Sequence, residues 1–501
     1  MIVDVVLFII LLYLLWWFLL AKPSKFPPGP PNWPIVGSFY YLQKWGPFLY
    51  QSTAVMKKHY GDVVGFYVGT TPVVLVSGLD AIKELSFRDD LAGRPKLIMH
   101  KVLKEVHGIL FTSGEMWKEQ RRFTLRHLRD FGFGKSSMES ITIEEIESVF
   151  NEIDKSLIGK KPGEWSKTII VHDILGPANI NILWHILAGV RFNFSDPYLK
   201  KLLRFIKDNI AQAEFGGTIE FAFPGLVKMF PYLTNIRERY NKVQEILEFF
   251  QTHIDEHKTT HDPDNPRDFM DVYLTEMNKR KKDPNSTFTD VQLREIGGDL
   301  FFAGYDTTFN TIVFSILYMI LNPGVQKKVQ EELDSVIGKD RHPSFHDRDS
   351  HLIPYNEATV MEILRSSTVV PMAVPHAPLL SMRDTEFRGY VIPKDSTILL
   401  NLHQLHHDPE IWGDPENFRP ERFISPDGKV IRHEAYMPFG VGKRSCLGEA
   451  LARNNVFLFF ACLMQRYSIR VPEGEPMPSK EPVGNITIMP SEFKIQVCLR
   501  E

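Results

Sequence analysis

Cys446 sits in PFGVGKRSCLG, residues 438–448, among Gly440, Gly442 and Gly448, directly after Lys443 and Arg444 and before an apolar helix-period run. A thiol that only packs needs no such loop, because free cysteine commonly behaves as a small buried hydrophobe. Glycines let the backbone turn tightly and approach a flat group, and their N–H groups can point at a sulfur. Adjacent cations and the start of a helix both favour the thiolate. The loop therefore reads as built for a ligand sulfur or for a nucleophile.

A cysteine hydrolase would need a base and an orienting group, and the papain-type C-G-[SA]-C stretch does not occur. Zinc would need further Cys or His ligands at short spacing, and the other two cysteines, Cys462 and Cys498, are not close by. One protein sulfur suffices where a porphyrin supplies the remaining ligands, and thiolate ligation of haem iron favours O–O cleavage. A second stretch suits oxygen chemistry. FFAGYDTTFNTIVF, residues 301–314, lies in a helix-period run over 291–321 and interrupts it with Ala303, Gly304, Asp306, Thr307 and Thr308. A helical threonine ordinarily bonds back to the carbonyl four residues earlier, and Asp306 could simply face solvent. If Thr307 takes the carbonyl of Ala303, the helix loosens there and opens a groove for dioxygen and water. An acid beside an alcohol in that groove can relay protons.

FGVGKRSCLG, residues 439–448, follows the pattern F-x-x-G-x-R-x-C-x-G, and on this loop the chain resembles the cytochrome P450 family. Other stretches match in the family's order over nearly the whole chain. Residues 303–307 fit its A/G-G-x-D/E-T oxygen-activation motif. EILR, residues 362–365, fits its E-x-x-R helix, FRPERF, residues 418–423, fits the segment that joins it, and WKEQRR, residues 117–122, supplies W-x-x-x-R. Alone, E-x-x-R is an ordinary i,i+3 ion pair on a helix surface. The resemblance implies instead a buried network of Glu362, Arg365 and Arg422 that braces the cysteine loop.

It further implies haem b ligated by Cys446, with Arg94, Trp117, Arg121, Ala303, His376, Phe439, Arg444 and Gly448 against the cofactor, and Asp306 and Thr307 as the catalytic pair. Phe301, Phe302, Val370, Ala373 and Ile486 are the expected substrate wall. They come from family pocket segments near 95–113, 205–230, 298–308, 370–375 and 484–489, although each residue would otherwise read as plain core. The implied activity is monooxygenation of a small lipophilic substrate, with the hard chemistry supplied by the cofactor. LRHLRDFGFGK, residues 125–135, is similar to the insect branch of the microsomal family, which makes epoxidation of a sesquiterpenoid ester such as methyl farnesoate a candidate reaction.

No flavin or nicotinamide fingerprint occurs in the sequence, so electrons from NADPH would arrive through a separate partner. The resemblance implies NADPH-cytochrome P450 reductase, with cytochrome b5 as a second donor. Lys118, Arg122, Arg126 and Lys443 could meet an acidic partner by electrostatic steering; otherwise they are ordinary solvated charges. A reductase-independent isomerase or dehydratase, or a non-catalytic haem sensor, would not require the Asp306–Thr307 pair. A tethered cysteine hydrolase would need no haem.

The elements that must hold these residues follow from composition and periodicity. The chain has 501 residues, 44% apolar content and a net charge of −3, enough for a large core and too little positive charge for a nucleic-acid binder. Three widely spaced cysteines fit a reducing compartment. Residues 5–21 are apolar and are followed by Lys22 and Lys25, flanks that suit an uncleaved membrane anchor better than a cleaved signal.

The expected organisation is an anchor at 1–21, a proline-rich hinge at 22–37 and one catalytic domain at 38–501. A β-hairpin is expected within 61–78, then helices to about 380, then a helix over 447–466 and a terminal strand pair turning at 486–489. Residues 255–268 read as a solvated loop between helices. The fold class is mainly α with small β-sheets, the cytochrome P450 fold. The positive-inside rule leaves the body in the cytosol, and the resemblance makes the membrane that of the endoplasmic reticulum. The sequons at Asn193, Asn285 and Asn485 should then stay unglycosylated. An endoglycosidase-sensitive mobility shift of the microsomal protein would reverse that orientation.

Overall fold

The computed structural model describes residues 2–20, 22–33, 35–95, 106–130, 136–161, 163–210, 219–230, 232, 234, 236–379 and 383–500. Of the expected pocket segments, 96–105 and 211–218 lie outside the described residues, as do 131–135 of the stretch similar to insect sequences.

Helix α1 (Ile2–Leu20) is apolar almost throughout, and residues 2–15 are exposed. At 1.5 Å per residue its 19 residues extend for about 28 Å, close to the roughly 30 Å hydrocarbon layer. The proline-rich strap that follows lies against the hairpin of β1 (Val63–Val68) and β2 (Thr71–Val76). Phe26 packs on Tyr67 with ring centroids 5.5 Å apart, and the Gly65 N–H donates to the Pro28 carbonyl at 2.9 Å. Gly29 permits that approach: a Cβ there would stand 2.1 Å from the Gly65 carbonyl oxygen. The hairpin itself is antiparallel, Val63 opposite Val76 through Val68 opposite Thr71, and Gly69 takes φ +59° at its turn. A third strand, β3 (Thr397–Leu400), adds parallel to β2.

The body is helical. Helices α2 (Leu79–Phe87), α3 (Gly114–Asp130) and α4 (Val171–Ala188) precede the long α5 (Asp290–Leu321), which α6 (Pro354–Ser367), α7 (Leu402–His406) and α8 (Glu449–Arg466) follow. Helix α5 packs against α4, α6 and α8, and α4, α5 and α8 are buried over most of their circumference, as their near-continuous apolar sequences require. At 32 residues α5 is long and apolar enough to cross a membrane, yet most of it is buried inside the body. Gly304 sets its closest approach to α4, where a Cβ would meet Leu183 Cδ2 at 2.8 Å.

Two expected connections take a different form. Strands β4 (Tyr467–Arg470), β5 (Val483–Gly484), β6 (Ile488–Met489) and β7 (Lys494–Leu499) do not make one terminal hairpin. The 485–487 turn joins only β5 and β6, whereas β7 pairs with β4 and with the short strand Ile169–Ile170. Pro490 follows β6 and has no N–H for a ladder, so the strand stops there. Residues 255–260 are the last turns of the helix Ile236–Thr260, and the loop begins at 261. It ends where Asp268 caps the helix Phe269–Lys279 by accepting from the Asp271 N–H at 3.0 Å.

Gly29→Ala should loosen the strap without touching the core. Trypsin is expected to cut after Lys25 faster than in wild type while far-ultraviolet circular dichroism stays unchanged.

Candidate active site

The cysteine loop is shaped by two left-handed glycines. Gly440 takes φ +66° and Gly442 φ +76°, and a Cβ on Gly442 would stand 2.2 Å from the Ser86 carbonyl oxygen on α2. The Cys446 N–H donates to the Phe439 carbonyl at 2.9 Å and closes the loop. Phe439 is half-buried against the core. Gly448 precedes α8, and the space on its Cβ side is open for 4 Å. Cys446 itself has an exposed face, yet burial pushes its thiol up to about 11, opposed by the Gly448 N–H and by Arg121. An open face inside a crowded surround is the signature of a thiol lining a cleft, where a metal would hold it deprotonated.

Around the same loop three guanidiniums converge. Arg94 donates to the carbonyls of Leu110, Val374 and Pro375 at 3.0, 2.9 and 2.8 Å, and lies 3.3 Å from His376 Nδ1. Arg444 donates to the carbonyls of Ala92 and Thr112 at 2.8 and 2.6 Å and stacks 3.7 Å above the Trp117 ring. Arg121, one turn after Trp117, donates to the Ser445 carbonyl at 2.6 Å.

Among the described residues no carboxylate pairs with any of the three. Burial, then repulsion from Arg121, brings Arg94 down to about 9. Burial, then Arg94 and Arg121, brings Arg444 down to about 8. Burial lowers Arg121 as well. Burial followed by Arg94 and Arg444 holds His376 well below the usual imidazole range, so its Nδ1 serves as an acceptor for Arg94. Guanidiniums normally stay charged in proteins. Three guanidiniums brought together without a carboxylate among the described residues suit an anionic group at their centre, and the propionates of haem fit it.

On α5, Thr307 Oγ1 donates to the Ala303 carbonyl at 2.7 Å, and Ala303 is exposed on a helix that is otherwise largely buried. Asp306 does not share this groove surface. It is buried, and its Oδ1 accepts from Asn310 Nδ2 at 3.1 Å, because consecutive helical residues diverge by about 100°. Phe301 corrects the expected substrate wall: it is fully buried against Trp184 and Phe250, on the core side of α5. Phe302, Val370, Ala373 and Ile486 all keep partly open faces. Ala373 adopts φ +51°, a left-handed conformation unusual for a residue with a Cβ.

The brace lies on the other side of α6. Glu362 receives Arg365 bidentately at 2.7 and 2.9 Å and Arg422 at 3.1 Å, with Glu362 and Arg365 fully buried. Arg365 also donates to the His406 carbonyl at 2.6 Å, and His406 Nε2 accepts the Met437 N–H at 3.0 Å, one residue before the cysteine-loop segment begins. Trp412 lies beside both arginines at 5.4 and 5.9 Å. The sequence reading overlooked His406 and Trp412, although HQLHH at 403–407 is a conspicuous run of histidine.

Of the expected docking charges, Lys443 is paired with Asp89, and Lys118 with Glu115 at 2.8 Å. Arg122 and Arg126 are exposed.

A thiol on an open cleft beside cations without a counter-charge defines a site for thiolate-ligated haem. The sequence matches the Cytochrome P450 family over residues 27–497, and the chain belongs to that family. It is 36% identical to cytochrome P450 2D3 of Rattus norvegicus over 94% of this chain and 92% of the relative. It is 37% identical to cytochrome P450 2B4 of Oryctolagus cuniculus over 95% and 94%. To the farnesoate epoxidase of Bombyx mori it is 32% identical over 97% of both chains. The protein is therefore a cytochrome P450 monooxygenase, a family that binds haem through a cysteine thiolate. Its microsomal members receive electrons from NADPH through a reductase.

Glu362→Gln removes the carboxylate that Arg365 and Arg422 share in a buried setting. The expected loss is about 3–5 kcal/mol of stability, read as a lowered chemical-denaturation midpoint of the haem-loaded protein.

Proposed function

We propose that this chain accepts electrons from NADPH-cytochrome P450 reductase, with cytochrome b5 as a second donor, and oxidises a small lipophilic substrate by hydroxylation or epoxidation. One atom of O2 enters the substrate and the other leaves as water, with two electrons and two protons consumed. The protein works at the cytosolic face of the endoplasmic reticulum, held by residues 1–21, with 22–37 leading into the catalytic domain at 38–501. The observation that carries the reading is the set Arg94, Arg121 and Arg444, half-buried around the open face of Cys446 and paired with no carboxylate among the described residues.

Haem, when bound, supplies the activation of dioxygen. The residues of the chain do the rest. Cys446 is the iron ligand, and the Gly448 N–H steadies its sulfur. Arg94, Arg121, Arg444 and the neutral His376 hold the propionates, with Trp117 fixing the plane of Arg444. Ala303, Phe439 and Gly448 flank the cofactor. Thr307 keeps the Ala303 carbonyl turned to its own hydroxyl and leaves that hydroxyl's lone pairs for water or oxygen. Asp306 stores the proton that this groove needs. Glu362, Arg365 and Arg422 keep the cysteine loop in register through His406.

The apolar wall of Phe302, Val370, Ala373 and Ile486 offers no charge to a polar substrate. Similarity to a farnesoate epoxidase supports a sesquiterpenoid ester as the first compound to try. Cys446→Ala is expected to abolish the thiolate-type red-shifted Soret band of the ferrous carbon monoxide complex. The wild-type protein with reductase and NADPH is expected to oxidise a terpenoid ester, steroid or fatty acid. A band that persists in Cys446→Ala, or normal haem loading with no substrate turned over, would overturn the reading.

A further inference from the structure

In the middle of α5 the buried acceptors Asp306 Oδ2 and Asn310 Oδ1 have no hydrogen-bond partner among the described residues. They belong to two side chains already joined by one hydrogen bond, Asn310 Nδ2 to Asp306 Oδ1 at 3.1 Å. A buried acceptor without a donor is destabilising, so two on adjacent groups call for a common cause. One proton on Oδ2 removes both, because a carboxylic acid and a primary amide can exchange two hydrogen bonds, N–H to C=O and O–H to C=O. Asn310 is also i+4 from Asp306 and i+3 from Thr307, the two spacings at which helical side chains are neighbours. Its spacing therefore makes it a helical neighbour of both the acid and the alcohol, and its hydrogen bond goes to the acid.

We propose that Asn310 is a positioning residue that holds Asp306 as a neutral acid by a paired amide–carboxyl contact and so keeps its proton beside Thr307. This rests on the monooxygenase reading and adds a member to its proton supply. When the reaction draws the proton, the Oδ2–H bond breaks, its electron pair stays on the carboxylate, and the proton leaves toward the Thr307 hydroxyl. Solvent water restores it, with no oxidant or reductant involved.

The surroundings favour the neutral form. Burial raises the Asp306 carboxyl above the usual carboxylate range, with smaller opposing contributions from Thr487 and Asn310. The Thr487 hydroxyl lies near enough to the carboxyl to lower it, but outside hydrogen-bond geometry to Oδ2. The groups facing this stretch include Thr487 on the β5–β6 turn, Asn179 on α4, which donates to the Tyr305 carbonyl at 2.7 Å, and the Tyr305 phenol, held protonated chiefly by burial. No charged side chain among the described residues contributes to the environment of the carboxyl.

Infrared difference spectra of the haem-loaded protein test the pair without turnover. At pH 7, wild type minus Asp306→Asn should show the C=O band of a protonated carboxyl, and Asn310→Leu should move that band to higher frequency. Asn310→Ser, which removes the amide with little bulk, should give the same shift if the leucine variant loads haem poorly. In turnover, Asn310→Leu should yield several-fold less product and more peroxide per NADPH while the carbon monoxide spectrum is unchanged. Asn310→Gln, which keeps an amide, should recover part of that coupling. Absence of the wild-type band, or a band unmoved in the Leu and Ser variants, overturns the proposal. Loss of the functional reading would show separately, as a carbon monoxide band that does not depend on Cys446.

Discussion

Two clusters of arginine, one buried around Glu362 and one half-buried around Cys446, are neutralised differently. Around Glu362 the charges are answered by carboxylates: Glu362 takes Arg365 and Arg422, Asp414 also takes Arg422 at 3.4 Å, and backbone carbonyls and the Ser366 hydroxyl take further N–H groups. Around Cys446, among the described residues, they are not. Arg94, Arg121 and Arg444 satisfy their N–H groups with carbonyls, but carbonyl dipoles do not cancel three positive charges held close together. Low local dielectric strengthens that repulsion. The cluster is therefore electrostatically suited to an anionic group such as the haem propionates.

The two sets are mechanically joined. Arg365 reaches the His406 carbonyl, His406 takes the Met437 N–H, and the Met437 carbonyl accepts from Gly440 inside the cysteine loop. From the other end, Gly442 fits against the Ser86 carbonyl of α2, and Arg444 ties the loop to Ala92 and Thr112. A loop pinned from both ends holds its sulfur at one position, which a metal ligand needs and a merely packed thiol does not.

Helix α5 reconciles two conflicting demands. Its apolar surface makes it a central element of the core, and Gly304 lets α4 approach it closely. At Ala303 and Thr307 the same helix keeps an accessible strip with a hydroxyl turned onto the backbone. Polar side chains in the middle of an apolar helix are tolerated because each has a local partner: Thr307 and Thr311 bond back four residues, and Asn179 reaches the Tyr305 carbonyl from α4. Asp306 and Asn310 are the incomplete pair in that series.

Most of the fold class and the identity of the key residues were legible in the sequence. The hairpin, the long helix and the cysteine loop follow from local pattern, namely alternation of apolar residues, helical period and glycine placement, whereas the Glu362 triad was legible only through the family resemblance. What escaped depends on direction. Phe301 and Phe302 are adjacent and equally apolar, yet one faces Trp184 in the core and the other keeps an open face. Lys443 read as a free charge because its partner, Asp89, is remote in sequence. His406 read as one histidine among several, since its role is set by a carbonyl and a ring nitrogen meeting different segments. The terminal strands were assigned to one hairpin because sequence shows β-forming residues but not which distant strand they join. Sequence alone fixed which chemistry the chain can perform, because residue type and short spacing decide ligand, acid and alcohol. Tertiary structure decided where each group points and which charges go unanswered, because those depend on contacts between segments tens to hundreds of residues apart.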